Sequence, residues 1–197
     1  MKIITDLLLT AFYTVFVQNL VLSSGLGMSE AIRVSTKPGT FGRFAVMISG
    51  FSVVTSAICA LIDLIPAAAN FSYAVRALVY GIVLAAVYII AAVVAKYLFK
   101  ASDKLLGTLG IAALNTLVFA IPHINNSAAY SFAGSLGSGI GAGVAFVLAA
   151  SLINKGSKLI EENEEIPEAF KGTPAMFFYV AMISLAFAGF TDTNIFG

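Results

Sequence analysis

A single cysteine, Cys59, in 197 residues rules out an internal disulfide and any multi-cysteine metal cage built by this chain alone. Charge is scarce too. Asp, Glu, Lys and Arg make up 11% of the chain, against the usual quarter of a soluble domain. The 11 basic and 10 acidic residues nearly cancel, to a net +1. That balance offers no basic patch for nucleic acid, and no Lys or Arg cluster stands beside aromatic platforms. Nor is there a nucleophile with a base beside it, which argues against hydrolytic or group-transfer chemistry. What fills the chain is apolar: 59% hydrophobic residues and a mean hydropathy of +0.97, in runs of about 18 residues or more. This is the composition of an all-α polytopic membrane protein.

Six hydrophobic spans can be read from the sequence, at about Ile4 to Leu26, Arg43 to Ile65, Tyr73 to Leu98, Leu105 to Ile121, Tyr130 to Ile153 and Pro174 to Phe190. They form one membrane domain over 1–197. Lys2 is a lone N-terminal charge and no small-residue cleavage site precedes a soluble domain, so the first span is expected to stay rather than be removed. The longest loop, Asn154 to Thr173, gathers Glu161, Glu162, Glu164, Glu165 and Glu168 beside Lys155, Lys158 and Lys171. A short surface helix ending near Pro167 is expected there.

Lys and Arg set the orientation. The loops after spans one, three and five, with their flanks, carry Arg33, Lys37, Arg43, Lys96, Lys100, Lys104, Lys155, Lys158 and Lys171, against Lys2 and Arg76 on the other side. Nine against two places those loops in the cytoplasm and both termini outside, as in a bacterial or archaeal inner membrane.

Two spans are interrupted by polar residues. Gln18-Asn19 and Ser23-Ser24-Gly25-Leu26-Gly27-Met28-Ser29 break the first, and Asn115-Thr116 breaks the fourth. Polar groups at membrane depth persist where protein surrounds them, so the two breaks are expected to face each other, with Asn19, Ser29, Asn115 and Thr116 as a candidate midplane site. Alternatively, each Asn caps a neighbouring helix or bonds across an interface. Six spans divide into halves of about 1–100 and 101–197. With three spans in each, related halves must lie in opposite orientations, a 3+3 inverted repeat with helices 1 and 4 broken.

In span five, Gly137 and Gly141, like Gly139 and Gly143, lie four residues apart and bare one helix face for close packing. No Lys-Ser or Lys-Thr pair follows to make a phosphate loop. Gly81, Gly107 and Gly110 are expected to serve similar contacts. Asp6 and Asp63 read as snorkelling span ends, His123 as a hydrogen-bonded loop residue, and Arg76 as the ion-pair partner of Asp63 or a magnet for an anionic cofactor tail.

Gln18-Asn19-Leu20-Val21-Leu22 through Leu26-Gly27-Met28-Ser29, the glycine run Leu136-Gly137-Ser138-Gly139-Ile140-Gly141, and the ending Ile166-Pro167-Glu168-Ala169-Phe170-Lys171-Gly172 with Met182 to Phe190 resemble the membrane subunits RnfA and NqrE. These belong to the Rnf and Na+-translocating NADH:quinone oxidoreductase complexes. The resemblance implies a six-span inverted repeat, a sister six-helix membrane subunit of the RnfE and NqrD kind, and flavin-carrying subunits. It also implies two cysteines per subunit that complete an iron-sulfur site with the sister. Here those positions read Ser29 and Thr116. Hydroxyls are hard ligands that stay protonated near neutral pH and bind iron poorly, so no metal and no cofactor is expected on this chain alone. Flavin or iron-sulfur would sit on partners. The polar and acidic residues that the family carries inside span three align with Ile89 and Ala92, and Cys59 reads as a small buried hydrophobe.

Two functions follow. One is a non-catalytic membrane subunit of an Rnf- or Nqr-like ion-translocating electron transport complex, an oxidoreductase-driven translocase. The other is a cluster-free transporter or channel for a small solute or ion, built on the same scaffold.

Overall fold

The computed structural model describes residues 2–191. Its order is α1 (Lys2–Phe16), α2 (Leu20–Ser24), α3 (Met28–Ser35), α4 (Phe41–Asp63), α5 (Tyr73–Tyr97), α6 (Asp103–Ala113), α7 (Thr116–Ser127), α8 (Phe132–Glu162) and α9 (Thr173–Thr191), with 3-10 turns at Pro38–Thr40 and Pro66–Asn70. There is no strand among the described residues. Among the described residues four segments are long and apolar enough to cross a membrane: α4, α5, α6 with α7, and α8. Thr173–Gly189 is apolar but shorter. At 15 residues, α1 rises about 22 Å, less than the roughly 30 Å hydrocarbon core of a bilayer.

Small polar side chains start most helices by accepting an otherwise orphaned N–H. Ser72 caps α5, Ser102 caps α6, Ser131 caps α8, Asn19 caps α2 and Asn115 caps α7. Ser131 also donates to Asp6 Oδ2, tying α1 to the start of α8. Asp6 therefore has a partner inside the protein rather than a snorkelling end.

At the centre lies α8, buried over most of its length and packed against α1, α4, α3 and α9. Its glycines divide the work. A Cβ on Gly137 would sit 2.2 Å from Leu7 O and one on Gly141 2.7 Å from Ala11 O, both on α1. On Gly139 it would meet Val53 N at 2.8 Å, and on Gly143 Ala45 O at 2.7 Å, both on α4. Such backbone approach needs hydrogen in place of a side chain. Gly81 touches Phe119 and Gly110 touches Tyr88, whereas Gly107 faces open space; its expected packing role is absent. The core gathers around α2, where Leu20, Val21 and Leu22 are buried with Leu117 and Val118 of α7, Ile48 of α4 and Phe146 of α8. In contrast, α5 buries only Tyr80 and Leu84 and shows Leu78, Ile82, Ile89 and Ile90 to the surroundings.

The course of the helices differs from the sequence reading at three places. Span five and the expected surface helix are one 31-residue helix, α8, which ends at Asn163. Asn163 Oδ1 there accepts from Glu165 N at 2.8 Å. The residues after Gly27 form an amphipathic helix, α3, rather than a loop. Pro122 lies within α7, and His123 follows it inside the helix. The first residue and 192–197, which carry the termini, lie outside the described residues.

Candidate functional site

The first break has two corners. Helix α1 ends at Phe16, and Asn19 spans the gap: its Nδ2 donates to Val15 O at 3.0 Å and its Oδ1 accepts from Leu22 N at 3.2 Å. One buried amide thus serves a carbonyl at the end of α1 and an N–H at the start of α2. After α2 the chain turns at Gly25 (φ 70°) and Gly27 (φ 75°), left-handed conformations that glycine adopts without steric cost. The second break is simpler. Leu114 ends α6, and Asn115 Oδ1 accepts from Leu117 N at 2.9 Å to start α7.

The two breaks meet. Gly27 N donates to Thr116 Oγ1 at 2.9 Å, and a Cβ on Gly27 would come within 2.7 Å of Asn115 Oδ1. Asn115 is buried and its Nδ2 has no hydrogen-bond partner. Asn19 bonds only within its own segment, so the structure joins Gly27, Asn115 and Thr116 directly and leaves Asn19 behind them. Thr116 and Ser29 are both exposed, and Ser29 Oγ donates to Glu30 Oε2 at 2.6 Å. Gly27, whose backbone makes the link, was legible as part of the break but not as a site residue, because a glycine has no side chain to signal a bond.

This junction does not fit an iron-sulfur cluster. The two positions that resemble cysteine sites offer hydroxyls already engaged locally, Thr116 by Gly27 and Ser29 by Glu30. Cys59 is buried in α4, away from the break.

A second polar assembly lies at the far end of α4. Asp63 Oδ2 accepts from Tyr80 and, at 3.1 Å, from Asn126 Nδ2, while Arg76 stands 3.8 Å from Asp63 Oδ1. Arg76 also donates to Asn126 Oδ1 and, at 3.0 Å, to Ala68 O. The expected Asp63–Arg76 ion pair is present, and Asp63 is a braced inner group rather than a snorkelling end. His123 packs among the rings of Tyr73, Tyr80 and Phe119 with Nε2 buried and unpartnered. It is thus a ring in a helix interface, not a hydrogen-bonded loop residue. A cavity of about 310 Å³ opens beside Asp63, lined by Ser56, Cys59, Asn125, Asn126 and Ser135. Ser52 and Thr55, on the turn of α4 before Ser56, are like it buried with an unpartnered hydroxyl. Their spacing of three to four residues is a helix stripe and was open to sequence reading.

Comparison with known proteins supplies the context. Residues 7–193 match the family model described as Rnf-Nqr subunit, membrane protein. The chain is 28% identical over 193 residues to the E subunit of the Na(+)-translocating NADH-quinone reductase of Pseudoalteromonas translucida, covering 92% of this chain and 95% of that protein. It is 26% identical over 188 residues to the A subunit of the Na(+)-translocating ferredoxin:NAD(+) oxidoreductase complex of Acetobacterium woodii, covering 92% and 94%. The A subunit of the ion-translocating oxidoreductase complex of Rhodobacter capsulatus is 30% identical over 187 residues, covering 94% and 96%. With its broken helices, its glycine-faced central helix and a family match along nearly its whole length, this chain belongs to the Rnf-Nqr family of membrane subunits.

Proposed function

We propose that this chain is an integral membrane subunit of an Rnf- or Nqr-like ion-translocating oxidoreductase complex, and that it orders the membrane core without ligating iron itself. The observation that carries the reading is the junction of two helix breaks at Gly27 and Thr116 in a chain matched to the family over 7–193.

In this reading the helices make six spans: α1 with α2, α4, α5, α6 with α7, α8 and α9. They form two inverted halves of about 1–100 and 101–197. Several correspondences support it. Asn19 and Asn115 are both extended, both buried and both helix caps. Exchanging the halves turns the α1–α8 contact into α6–α4, α4–α5 into α8–α9, and the α9–α2 contact into α5–α7, all of which occur. Nine basic residues in or flanking the turns after α3, α5 and α8 support an orientation with those turns in the cytoplasm and both termini outside, in a bacterial or archaeal inner membrane.

A sister six-helix subunit covers the exposed Ser29 and Thr116, since polar groups at this depth need protein around them. Electrons pass through flavin or iron-sulfur groups on partner subunits, and this chain carries out no bond chemistry of its own. The second reading, a cluster-free transporter of a small polar solute or ion, is favoured by the cavity beside Asp63 and the unpartnered hydroxyls of Ser52, Thr55 and Ser56. Oxygen donors of that kind suit a weak cation or polar-solute site.

Purification of the native protein in mild detergent, with mass spectrometry of partners and iron and flavin assays, separates the two. The complex reading expects flavoprotein and a second six-span protein in the sample. A chain recovered alone, without flavin, contradicts it and makes solute uptake in liposomes the next measurement.

A further inference from the structure

Arg33 of α3, Lys37 beyond it, Arg43 of α4 and Lys104 of α6 surround a recess of about 380 Å³ whose floor is Val34, Phe44 and Ile111. Among the described residues no acidic side chain lines it. The acids nearest in sequence are Glu30, which pairs with Arg33 at 4.0 Å, and Asp103, which starts α6. Lys37, Arg43 and Lys104 have no ion-pair partner among the described residues. Three unpaired cations beside Arg33, whose one ion pair is a long and partly exposed contact, repel one another, an arrangement suited to an anion.

The recess does not stand alone. Arg43, Val46, Gly50, Val54 and Ile58 follow one another at three- and four-residue steps and so share one stripe of α4. From Val46 to Ile58 that stripe lines an almost wholly apolar groove of about 430 Å³, completed by Ile90 and Val94 of α5 and Leu109 of α6. This stretch of α4 rises about 18 Å, close to the half-thickness of a hydrocarbon core of roughly 30 Å. The basic recess lies at one end of the stripe and the apolar groove runs from it into the membrane. A free anion would use the first and ignore the second, and a neutral lipid the reverse.

We propose that α3, α4, α5 and α6 together bind a phospholipid with an anionic headgroup, its phosphate among Arg33, Lys37, Arg43 and Lys104 and an acyl chain along the α4–α5 groove. Charge complementarity and the one-leaflet length of the groove select this occupant over a helix from another protein, which would need acidic side chains facing four cations.

The test is to purify the full chain from native membranes in mild detergent and quantify the retained phospholipids by mass spectrometry. Wild type is compared with Arg43→Gln/Lys104→Gln, with Gly50→Leu and with a control, Lys155→Gln/Lys158→Gln, which removes two exposed cations that do not line the recess. A Cβ at Gly50 meets nothing within 4 Å, so Gly50→Leu fills the groove without disturbing the fold. Enrichment of anionic over zwitterionic phospholipid is expected on wild type and on the control. Each basic residue contributes roughly fivefold near an anionic surface, so the recess variant should lose the anionic preference by about twenty-five-fold. Gly50→Leu should lower retention of all phospholipids. Equal retention by all four proteins overturns the proposal. So does a wild-type chain that carries no phospholipid because a protein helix fills the groove.

Discussion

Gly27 gives its backbone N–H to the Thr116 hydroxyl at 2.9 Å across 89 positions of sequence, so two helix interruptions, each costly in an apolar setting, stabilise one another. The cost of breaking a helix is the loss of backbone hydrogen bonds. Here Asn19, Asn115 and Thr116 return several of them. The junction is therefore a structural lock as well as a candidate contact surface, and the two roles can be separated by substitution.

Glycines 25 and 27 give the first separation. Both sit at positive φ, which costs a residue with a Cβ about 1–2 kcal/mol. At Gly25 that is the whole penalty, because nothing lies within 4 Å of a new Cβ. At Gly27 the methyl also meets Asn115 Oδ1 at 2.7 Å and must push aside the cap of α7, worth about 1 kcal/mol more. Thermal unfolding in detergent should rank wild type above Gly25→Ala and Gly25→Ala above Gly27→Ala. Equal losses would mean that the contact with Asn115 contributes nothing.

Thr116 gives the second. Thr116→Val keeps the shape and removes the acceptor, leaving the Gly27 N–H unpaired at a cost of about 1 kcal/mol. Thr116→Ser keeps the acceptor and should melt near wild type. A valine variant as stable as the serine variant would show that the bond is dispensable.

The close contacts of α8 are testable by one added methyl group. Gly137→Ala drives a Cβ to 2.2 Å from the Leu7 carbonyl, a backbone atom that can yield only if α1 moves. Overpacking of this kind costs about 1–3 kcal/mol. Gly107 lies inside α6 and faces open space, so Gly107→Ala should be neutral or stabilise by up to about 1 kcal/mol through helix propensity. The pair thus distinguishes packing glycines from incidental ones, which spacing alone does not do.

Much of this was legible in the sequence. Asn19 and Asn115 stood out because an amide inside an apolar run has few reasons to be there, and Gly137 to Gly143 because small residues at four-residue spacing mark close helix packing. Other features were hidden for physical reasons. Helix α8 runs on past Ile153 through Lys155, Lys158 and Glu161, where hydropathy falls but helix propensity does not, so a hydropathy reading stops too early. Pro122 suggests a helix end, yet neighbouring helices and side chains in a membrane bundle satisfy the groups a proline frees. The Asp63–Arg76 pair was legible across a short loop, but the bracing of Asp63 by Tyr80 and Asn126 joins three helices, and only the fold brings those side chains together.

That bracing makes a prediction of its own. Asp63 and Arg76 are mostly buried, with side-chain exposures of 20% and 16%. Removing either partner strands the other beside the cavity at a cost of about 1–3 kcal/mol, below the full penalty for a completely buried pair. Asp63→Asn keeps a group able to bond Tyr80 and Asn126, so Arg76→Gln should cost more. The double variant should be less destabilised than the sum of the singles, since no unpaired charge remains. A double-mutant cycle by thermal unfolding measures this, and strict additivity would deny the pair any role.

Restoring thiols tests the proposed role of the junction most directly. Ser29 and Thr116 are exposed at the break, and two thiolates are half of a four-cysteine cluster site. The variant Ser29→Cys/Thr116→Cys, purified alone, is therefore expected to stay free of iron. Co-expressed with a sister protein that contributes two cysteines of its own, it should gain iron and the visible absorbance of a cluster, and either single substitution should gain far less. Thr116→Cys also weakens the acceptor for Gly27, so stability should fall by about 1 kcal/mol whether or not iron binds. Iron in the lone double variant would mean that this chain can complete a site without a partner. Iron absent even with the cysteine-bearing sister would mean that Ser29 and Thr116 do not face it, and the proposed subunit arrangement would fail.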